Sequence, residues 1–99
     1  MTLYVTGTGT LSCGSWTAAR RLNRAQAHLD QQWIEGFLTG VGWANSGGGF
    51  QPLTTVPDRE AISAWVDNYC ATHPVVPIAT AAAEFSEARN RATTGAKVR

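Results

Sequence analysis

The clearest hydrophobic pattern in the chain lies between Asp58 and Pro74. Its apolar side chains recur at i, i+3, i+4, i+7 and i+8, the spacing of one helix face, and they are Ile62, Trp65, Val66, Tyr69 and Cys70. Asp58 is placed to cap the first amides, and Glu60 lies near the positive end of the helix dipole. Pro74 disfavours helical geometry at His73 and ends the run. The segment predicts a central helix with one buried face.

Two further helices are predicted, one before and one after the central helix. The first begins at Ser12 or Ser15, because either hydroxyl can cap a helix. The last begins near Pro77, which suits the first turn of a helix. Their apolar positions are Trp16, Ala19 and Leu22 in the first helix and Ile78, Ala81, Ala82 and Phe85 in the last, with Arg89 next in line. Residues from Thr93 onward are expected to form a frayed tail.

A longer helix is predicted from Asn23 or Arg24 to about Gly42. Its broad apolar face is formed by Leu29, Trp33, Ile34, Phe37, Leu38 and Val41. Gly36 and Gly40 lie on or beside that face, and each destabilises a helix by about 1 kcal/mol relative to alanine. We therefore expect a neighbouring helix or a second subunit to approach closely at these two glycines.

The remaining segments carry loop signals. Residues 1–11 mix threonine and glycine with a few apolar side chains and are interpreted as an extended arm. The stretch around Gly47, Gly48 and Gly49 is not preceded by a strand or followed by Gly-Lys-Ser/Thr, which favours a flexible connector over a phosphate loop. The sequence therefore predicts a small all-α fold, with one four-helix domain at 12–92, an N-terminal arm at 1–11 and a C-terminal tail at 93–99.

Composition narrows the class of function. The chain has 99 residues, of which 43% are hydrophobic and 15% charged. This provides one core but little charge for a free-standing helical protein, so a partner protein is expected to cover part of the surface. The formal net charge of +1 offers no basic face to nucleic acid. No segment is long and apolar enough to span a bilayer.

Cys13 and Cys70 bear on the compartment. Their spacing fits no zinc site, and His28 and His73 are not clustered with a cysteine pair, so neither a metal nor a cofactor is predicted. A disulfide or two free thiols remain, and our hypothesis is that the two cysteines are joined. Such a bond implies an oxidising compartment. The first residues lack the features of a signal peptide, so either a signal has been removed or the protein is intracellular.

The sequence does not favour a catalytic arrangement of side chains. The run Cys-Gly-Ser-Trp at 13–16 differs from the papain nucleophile, in which the cysteine directly precedes the aromatic residue. Cys70 and His73 are spaced for a thiolate–imidazole pair, but a disulfide with a capping histidine is the preferred interpretation. The remaining acids considered are interpreted as capping, solvated or hydrogen-bonded groups, and they are Asp58, Glu60 and Asp67.

The glycine-rich connector is the candidate partner-binding segment. Aromatic residues flank it, Trp43 on one side and Phe50 on the other. Glycines let a loop remodel on contact, and aromatic anchors carry much of the binding energy at protein interfaces. The other tryptophans lie on predicted inward faces and are explained by packing, and they are Trp16, Trp33 and Trp65.

Three motifs together resemble a family of small exported bacterial proteins. They are Cys-Gly-Ser-Trp at 13–16, Trp-Ile-Glu-Gly-Phe-Leu-Thr-Gly at 33–40, and Trp-Val-Asp-Asn-Tyr-Cys at 65–70 with Pro74 behind it. Over about residues 12–86 the chain is similar to immunity proteins of the Rap/Tai type, which are related in fold to the HdeA acid-stress chaperones. The resemblance implies a compact helical domain with a Cys13–Cys70 disulfide, residence in the periplasm, and frequently a homodimer.

The resemblance also implies a binding function rather than an enzymatic one. Members of the immunity branch bind and block cell-wall amidases or other toxins delivered by type VI secretion, and members of the chaperone branch shield unfolded periplasmic clients at low pH. We therefore expect a non-enzymatic periplasmic protein that binds a toxin. The alternatives are an HdeA-like acid-stress chaperone, against which the small number of ionisable side chains argues, and an exported protein of unassigned role.

Overall fold

The computed structural model describes residues 4–45 and 58–98. Four α-helices account for most of this part of the chain: α1 (Cys13–Arg21), α2 (Ala25–Asn45), α3 (Arg59–Thr72) and α4 (Ile78–Val98). A single 3₁₀ turn, Gly7–Thr10, precedes them. The described residues contain no β-ladder beyond one isolated bridge between Ser12 and Pro77. The prediction of a small all-α fold is confirmed.

Two of the predicted helix starts are capped as expected. Ser12, rather than Ser15, caps α1: its hydroxyl oxygen accepts a hydrogen bond from the Ser15 amide at 3.1 Å. The Asp58 carboxylate accepts one from the Ala61 amide at 3.0 Å and caps α3. Helix α3 ends at Thr72 because Pro74 excludes helical geometry from the residue before it.

The helix ends that lacked a strong stop signal differ from the prediction. Helix α2 continues past Gly42 to Asn45, and α4 continues past Thr93 to Val98. One glycine weakens a helix without breaking it, and the final stretch contains good helix formers in Ala96 and Lys97. The N-terminal arm is extended at Thr6 and Leu11, with the 3₁₀ turn between them.

The core is assembled from the inner stripes of all four helices. The members that α1 and α2 contribute are Cys13, Trp16 and Ile34, and those from α3 and α4 are Ile62, Val66, Cys70, Ile78, Ala81, Ala82 and Phe85. Within this cluster Cys13 and Cys70 form a disulfide, as hypothesised. The bond joins the start of α1 to the end of α3. It therefore fixes two helices that the chain connects only through α2.

Polar contacts reinforce the same arrangement. Asp67 on α3 accepts hydrogen bonds from the Trp16 indole nitrogen at 2.8 Å and from Nε of Arg20 at 3.0 Å, and its second oxygen pairs with the same guanidinium at 2.6 Å. These bonds tie α1 to α3 beside the disulfide. The interpretation of Asp67 as a hydrogen-bonded acid is confirmed. Between α2 and α3, Arg59 forms a bidentate ion pair with Glu35.

Three expectations about apolar and small residues are wrong within this chain. Leu22 is 59% exposed because α1 ends at Arg21 and Leu22 is only its C-cap. Leu29 is 56% exposed because it lies five residues from Ile34, which turns it by about 140° around α2. A Cβ atom added at Gly36 or Gly40 would meet nothing within 4 Å among residues 4–45 and 58–98, so no helix in this part of the chain covers either glycine. A second subunit at the glycines stays a prediction.

Candidate functional site

The longest uncharged surface of α2 points away from the core. We call it the outer face of α2 and define it by its exposed residues Leu29, Gln32, Gly36, Gly40 and Trp43. Residues 29, 36 and 43 are seven positions apart, which is close to two helical turns, so they form nearly one line. The side chains of Leu29 and Trp43 are 56% and 44% exposed. Two large apolar side chains therefore flank a stretch of glycine.

The charges of α2 lie elsewhere on the helix. Its sequence contains only two acidic residues, Asp30 and Glu35, and no lysine or arginine. Asp30 is fully buried, and Glu35 forms an ion pair with Arg59 of α3. The Arg59 guanidinium lowers the pKa of the Glu35 carboxyl. None of the five residues that define the outer face has an ionisable side chain, and the exposed His28 of α2 directly precedes the face.

A cleft opens at the edge of the outer face. It has a volume of about 370 Å³ and lies between residues 4–6 on one side and Gln32, Trp33, Gly36 and Phe37 of α2 on the other. The Trp33 ring stacks on Phe37 with centroids 5.5 Å apart, and its indole nitrogen donates a hydrogen bond to the Thr6 carbonyl oxygen at 2.8 Å. Gly36 belongs both to this cleft and to the outer face.

Of the two predicted partner-binding residues, Trp43 lies within the described part of the chain and Phe50 does not. Trp43 lies on the last turns of α2 rather than beside a loop, because the helix extends to Asn45. Phe50 and the glycine-rich connector lie outside the described residues. The structure thus links Trp43 to the outer face of α2, a surface that the sequence analysis did not identify. The signal in the sequence was the absence of charge at positions 29, 32, 36, 40 and 43.

Cys70 and His73 form a disulfide and a helix cap, respectively, as the sequence favours, and not a thiolate–imidazole pair. Cys70 is in the disulfide, so it carries no thiolate. His73 is the C-cap of α3, and its Nδ1 atom lies 2.9 Å from the Tyr69 carbonyl oxygen, to which the Nδ1–H tautomer donates. The imidazole also stacks on the Tyr69 ring with centroids 4.0 Å apart. These contacts hold the histidine against its own helix.

One buried acid escaped the sequence analysis. Asp30 is fully buried, and its Oδ1 atom accepts a hydrogen bond from the Gln26 amide nitrogen at 2.9 Å, whereas Oδ2 has no hydrogen-bond partner among the described residues. Burial raises the pKa of Asp30, while Gln26 and Thr8 lower it by less. The signal was its register, since Asp30 lies three residues after Ala27 and four before Ile34, both of which are buried.

Two other classes of site were sought in residues 4–45 and 58–98. In these ranges, no three His, Cys, Asp or Glu side chains are grouped so that they could hold a metal ion. None of the helices there has the length and apolar character needed to cross a membrane.

Comparisons with known proteins give no further guide. No family model matches the chain, and neither a curated protein nor a solved structure matches it. The outer face of α2, the disulfide and the three sequence motifs are the features of the chain that bear on its function.

Proposed function

We propose that this protein is a non-enzymatic, exported, periplasmic protein that binds and neutralises a toxin of the type VI secretion class through the outer face of α2. The observation that carries the proposal is the exposure of Leu29 and Trp43 on an uncharged face. Large apolar side chains that stay exposed along one helix face can mark a site of protein contact. Tryptophan is also among the residues that most often anchor protein interfaces.

The shape of the outer face favours a partner with a protruding apolar side chain. Leu29 and Trp43 each lie seven residues from Gly36, which places them about 10 Å to either side of it along the helix axis. Gly36 and Gly40 have no side chains, and a Cβ atom added at either would meet no described atom within 4 Å, so the surface between the two large residues is recessed. A toxin side chain inserted there would contact the α2 backbone and be flanked by Leu29 and Trp43.

The disulfide supports the proposed compartment. Cys13 and Cys70 are joined, and such bonds persist in the periplasm and outside the cell but are rare in the reducing cytosol. The exported location in turn agrees with a role in meeting toxins at the cell wall. The resemblance to the Rap/Tai family supports the same assignment.

The acid-stress chaperone is the weaker alternative. A chaperone that is activated at low pH needs groups whose protonation opens the protein or its interface. The most deeply buried acid, Asp30, has a raised pKa, so its protonation favours the closed fold instead. The ion pair between Arg59 and Glu35 does weaken in acid, since Arg59 lowers the pKa of Glu35, but it joins two helices of the same chain rather than closing a client-binding surface.

The test uses Gly36→Arg as a blocking substitution. An added Cβ at Gly36 meets no neighbouring atom, so an arginine can be built there without disturbing the core. We expect wild-type protein to retain a toxin from the native periplasm and to protect cells that export that toxin, and Gly36→Arg to lose both properties. Affinity for the purified toxin should fall at least thirtyfold, as for the loss of an interface anchor worth ~2 kcal/mol.

A matched control carries the same arginine elsewhere. Ala18 is exposed on α1, so Ala18→Arg adds equal charge and bulk away from α2 and should bind like wild type. Equal binding by wild type and Gly36→Arg would contradict the proposed surface. If wild type instead forms a dimer in light scattering and Gly36→Arg is a monomer, the outer face binds a second copy and the toxin proposal fails.

A further inference from the structure

The N-terminal segment packs against α2 and is fixed to α4 at its end, where the Leu11 carbonyl oxygen accepts a hydrogen bond from the Ile78 amide at 2.8 Å. We call residues 4–11 the strap. Gly7 turns it with a φ of 81°, a conformation that glycine adopts without strain. Gly9 is buried directly over Trp33, where any Cβ would overlap the indole ring. The 3₁₀ turn of the strap contains only glycine and threonine, so no large apolar side chain anchors it.

The acid that the sequence analysis missed lies under this strap. Thr8 of the strap and Gln26 of α2 are the side chains whose hydrogen bonding affects the Asp30 carboxyl. The Thr8 hydroxyl is buried as well. Neither its oxygen nor Asp30 Oδ2 forms a hydrogen bond among the described residues. Two buried polar atoms, one in the strap and one in α2, thus have no hydrogen-bond partner among the described residues, which is uncommon in folded proteins.

Among the described residues, no positive charge compensates for the buried carboxyl. The titratable group of the strap is Tyr4, which is 89% exposed, and residues 5–11 have none. No ionisable side chain of α1, α3 or α4 contributes to the pKa of Asp30, which burial raises above its ordinary value. The closed strap therefore favours the neutral carboxylic acid, because an unpaired carboxylate is poorly solvated there.

We propose that the strap is a pH-controlled cover, which the protonated Asp30 carboxyl keeps closed and which loosens from α2 and uncovers Trp33 when Asp30 loses its proton. Opening admits water to the carboxyl, which then ionises at its ordinary pKa. Between that pKa and the raised pKa of the closed form, opening releases up to one proton. The opening constant should therefore rise by up to tenfold for each pH unit in this window and level off above it.

The sign is opposite to that of an acid-triggered protein. Below the ordinary aspartate pKa both forms are protonated, and closure is at its strongest. Closure weakens as the pH rises between the two pKa values, since in that range the open form binds fewer protons than the closed form. This inference depends on the contacts of the strap alone and stands whether or not α2 binds a toxin.

Hydrogen exchange of the Trp33 indole N–H tests the proposal, because that proton is hydrogen-bonded to the Thr6 carbonyl oxygen only while the strap is closed. Protection should be measured from pH 4 to 8 and corrected for the pH dependence of free indole exchange. We expect wild-type opening to increase with pH. In Asp30→Asn, which keeps the shape but cannot ionise, opening should not change with pH.

A matched control removes a carboxylate from another site. Asp58 is exposed, and asparagine also caps helices well, so Asp58→Asn should keep the wild-type pH profile. Parallel profiles in wild type and Asp30→Asn would overturn the proposal. So would equal opening constants for the Trp33 indole and the Val66 amide of the core, since this would show that the whole fold opens.

A direct titration covers the case in which Asp30→Asn does not fold. The side-chain carboxyl carbon of Asp30 can be followed by NMR in the wild-type protein over the same pH range. Its ionisation should coincide with the loss of Trp33 protection. An Asp30 carboxyl that titrates while Trp33 protection stays constant would overturn the proposal.

Discussion

Two aspartates show how the surroundings of one residue decide its role. Asp67 receives three hydrogen bonds from Trp16 and Arg20, and it joins two helices as an ion. Asp30 receives one well-formed hydrogen bond, from Gln26, and it is enclosed. The sequence indicated that Asp67 is a solvated or hydrogen-bonded acid because it lies off the apolar stripe of α3, and the structure shows the second alternative. It could not show which donors would meet Asp30, because Thr8 reaches that residue from another part of the chain.

The Asp67 contacts predict a graded loss of stability. Asp67→Ala leaves the indole N–H of the fully buried Trp16 and the Arg20 guanidinium without their acceptor, and we expect destabilisation by about 1–3 kcal/mol. Asp67→Asn keeps an oxygen for Trp16 and should be less destabilising. Urea unfolding of both variants measures the difference. Equal losses in the two variants would show that the Trp16 hydrogen bond contributes nothing.

At the scale of helices, agreement among local signals determined what could be predicted. Helix α3 was predicted correctly because its cap at Asp58, its apolar stripe and its stop at Pro74 all agree. Helix α2 was predicted with the wrong end and too wide an inner face. Its apolar residues spread around much of the helix, so periodicity alone did not distinguish buried Ile34 from exposed Leu29. Only the packing of the other helices decides which side is covered.

The glycines of α2 provide a test at this scale. Close packing at Gly40 would make a larger residue destabilising, but the site has nothing within 4 Å in the monomer. Gly36→Ala and Gly40→Ala should therefore each stabilise the protein by about 0.5–1 kcal/mol, since alanine is the better helix former. Thermal unfolding at low protein concentration measures the change. Destabilisation that grows with protein concentration would show instead that a second subunit packs on the glycines.

At the scale of the whole molecule, the disulfide was the feature most easily predicted from the sequence, and the proposed binding surface was the least. The sequence contains only two cysteines, and one lies on the buried stripe of α3, which left few possibilities for their pairing. The outer face of α2 is exposed because no other described element packs over it. That depends on where α1, α3, α4 and the strap pack, so the absence of charge at Leu29, Gly36 and Trp43 marks the face but does not show that it is exposed.

The disulfide makes a prediction for the whole fold. It joins residues far apart in sequence, so it restricts the unfolded chain strongly, and its removal should destabilise the protein by about 4 kcal/mol. This is a large part of the ~5–15 kcal/mol that is typical of a domain. Both cysteines are almost completely buried, so we choose the double variant Cys13→Ala with Cys70→Ala, which introduces no buried hydroxyl.

Guanidinium unfolding of the oxidised protein, the reduced protein and the double variant separates the effects. The midpoint should fall by a similar amount in the latter two, and the denaturant dependence should steepen because an unbridged unfolded chain exposes more surface. An unchanged midpoint after complete reduction would contradict this account. A much larger loss in the double variant than on reduction would instead assign most of the effect to the packing of the two sulfur atoms in the core.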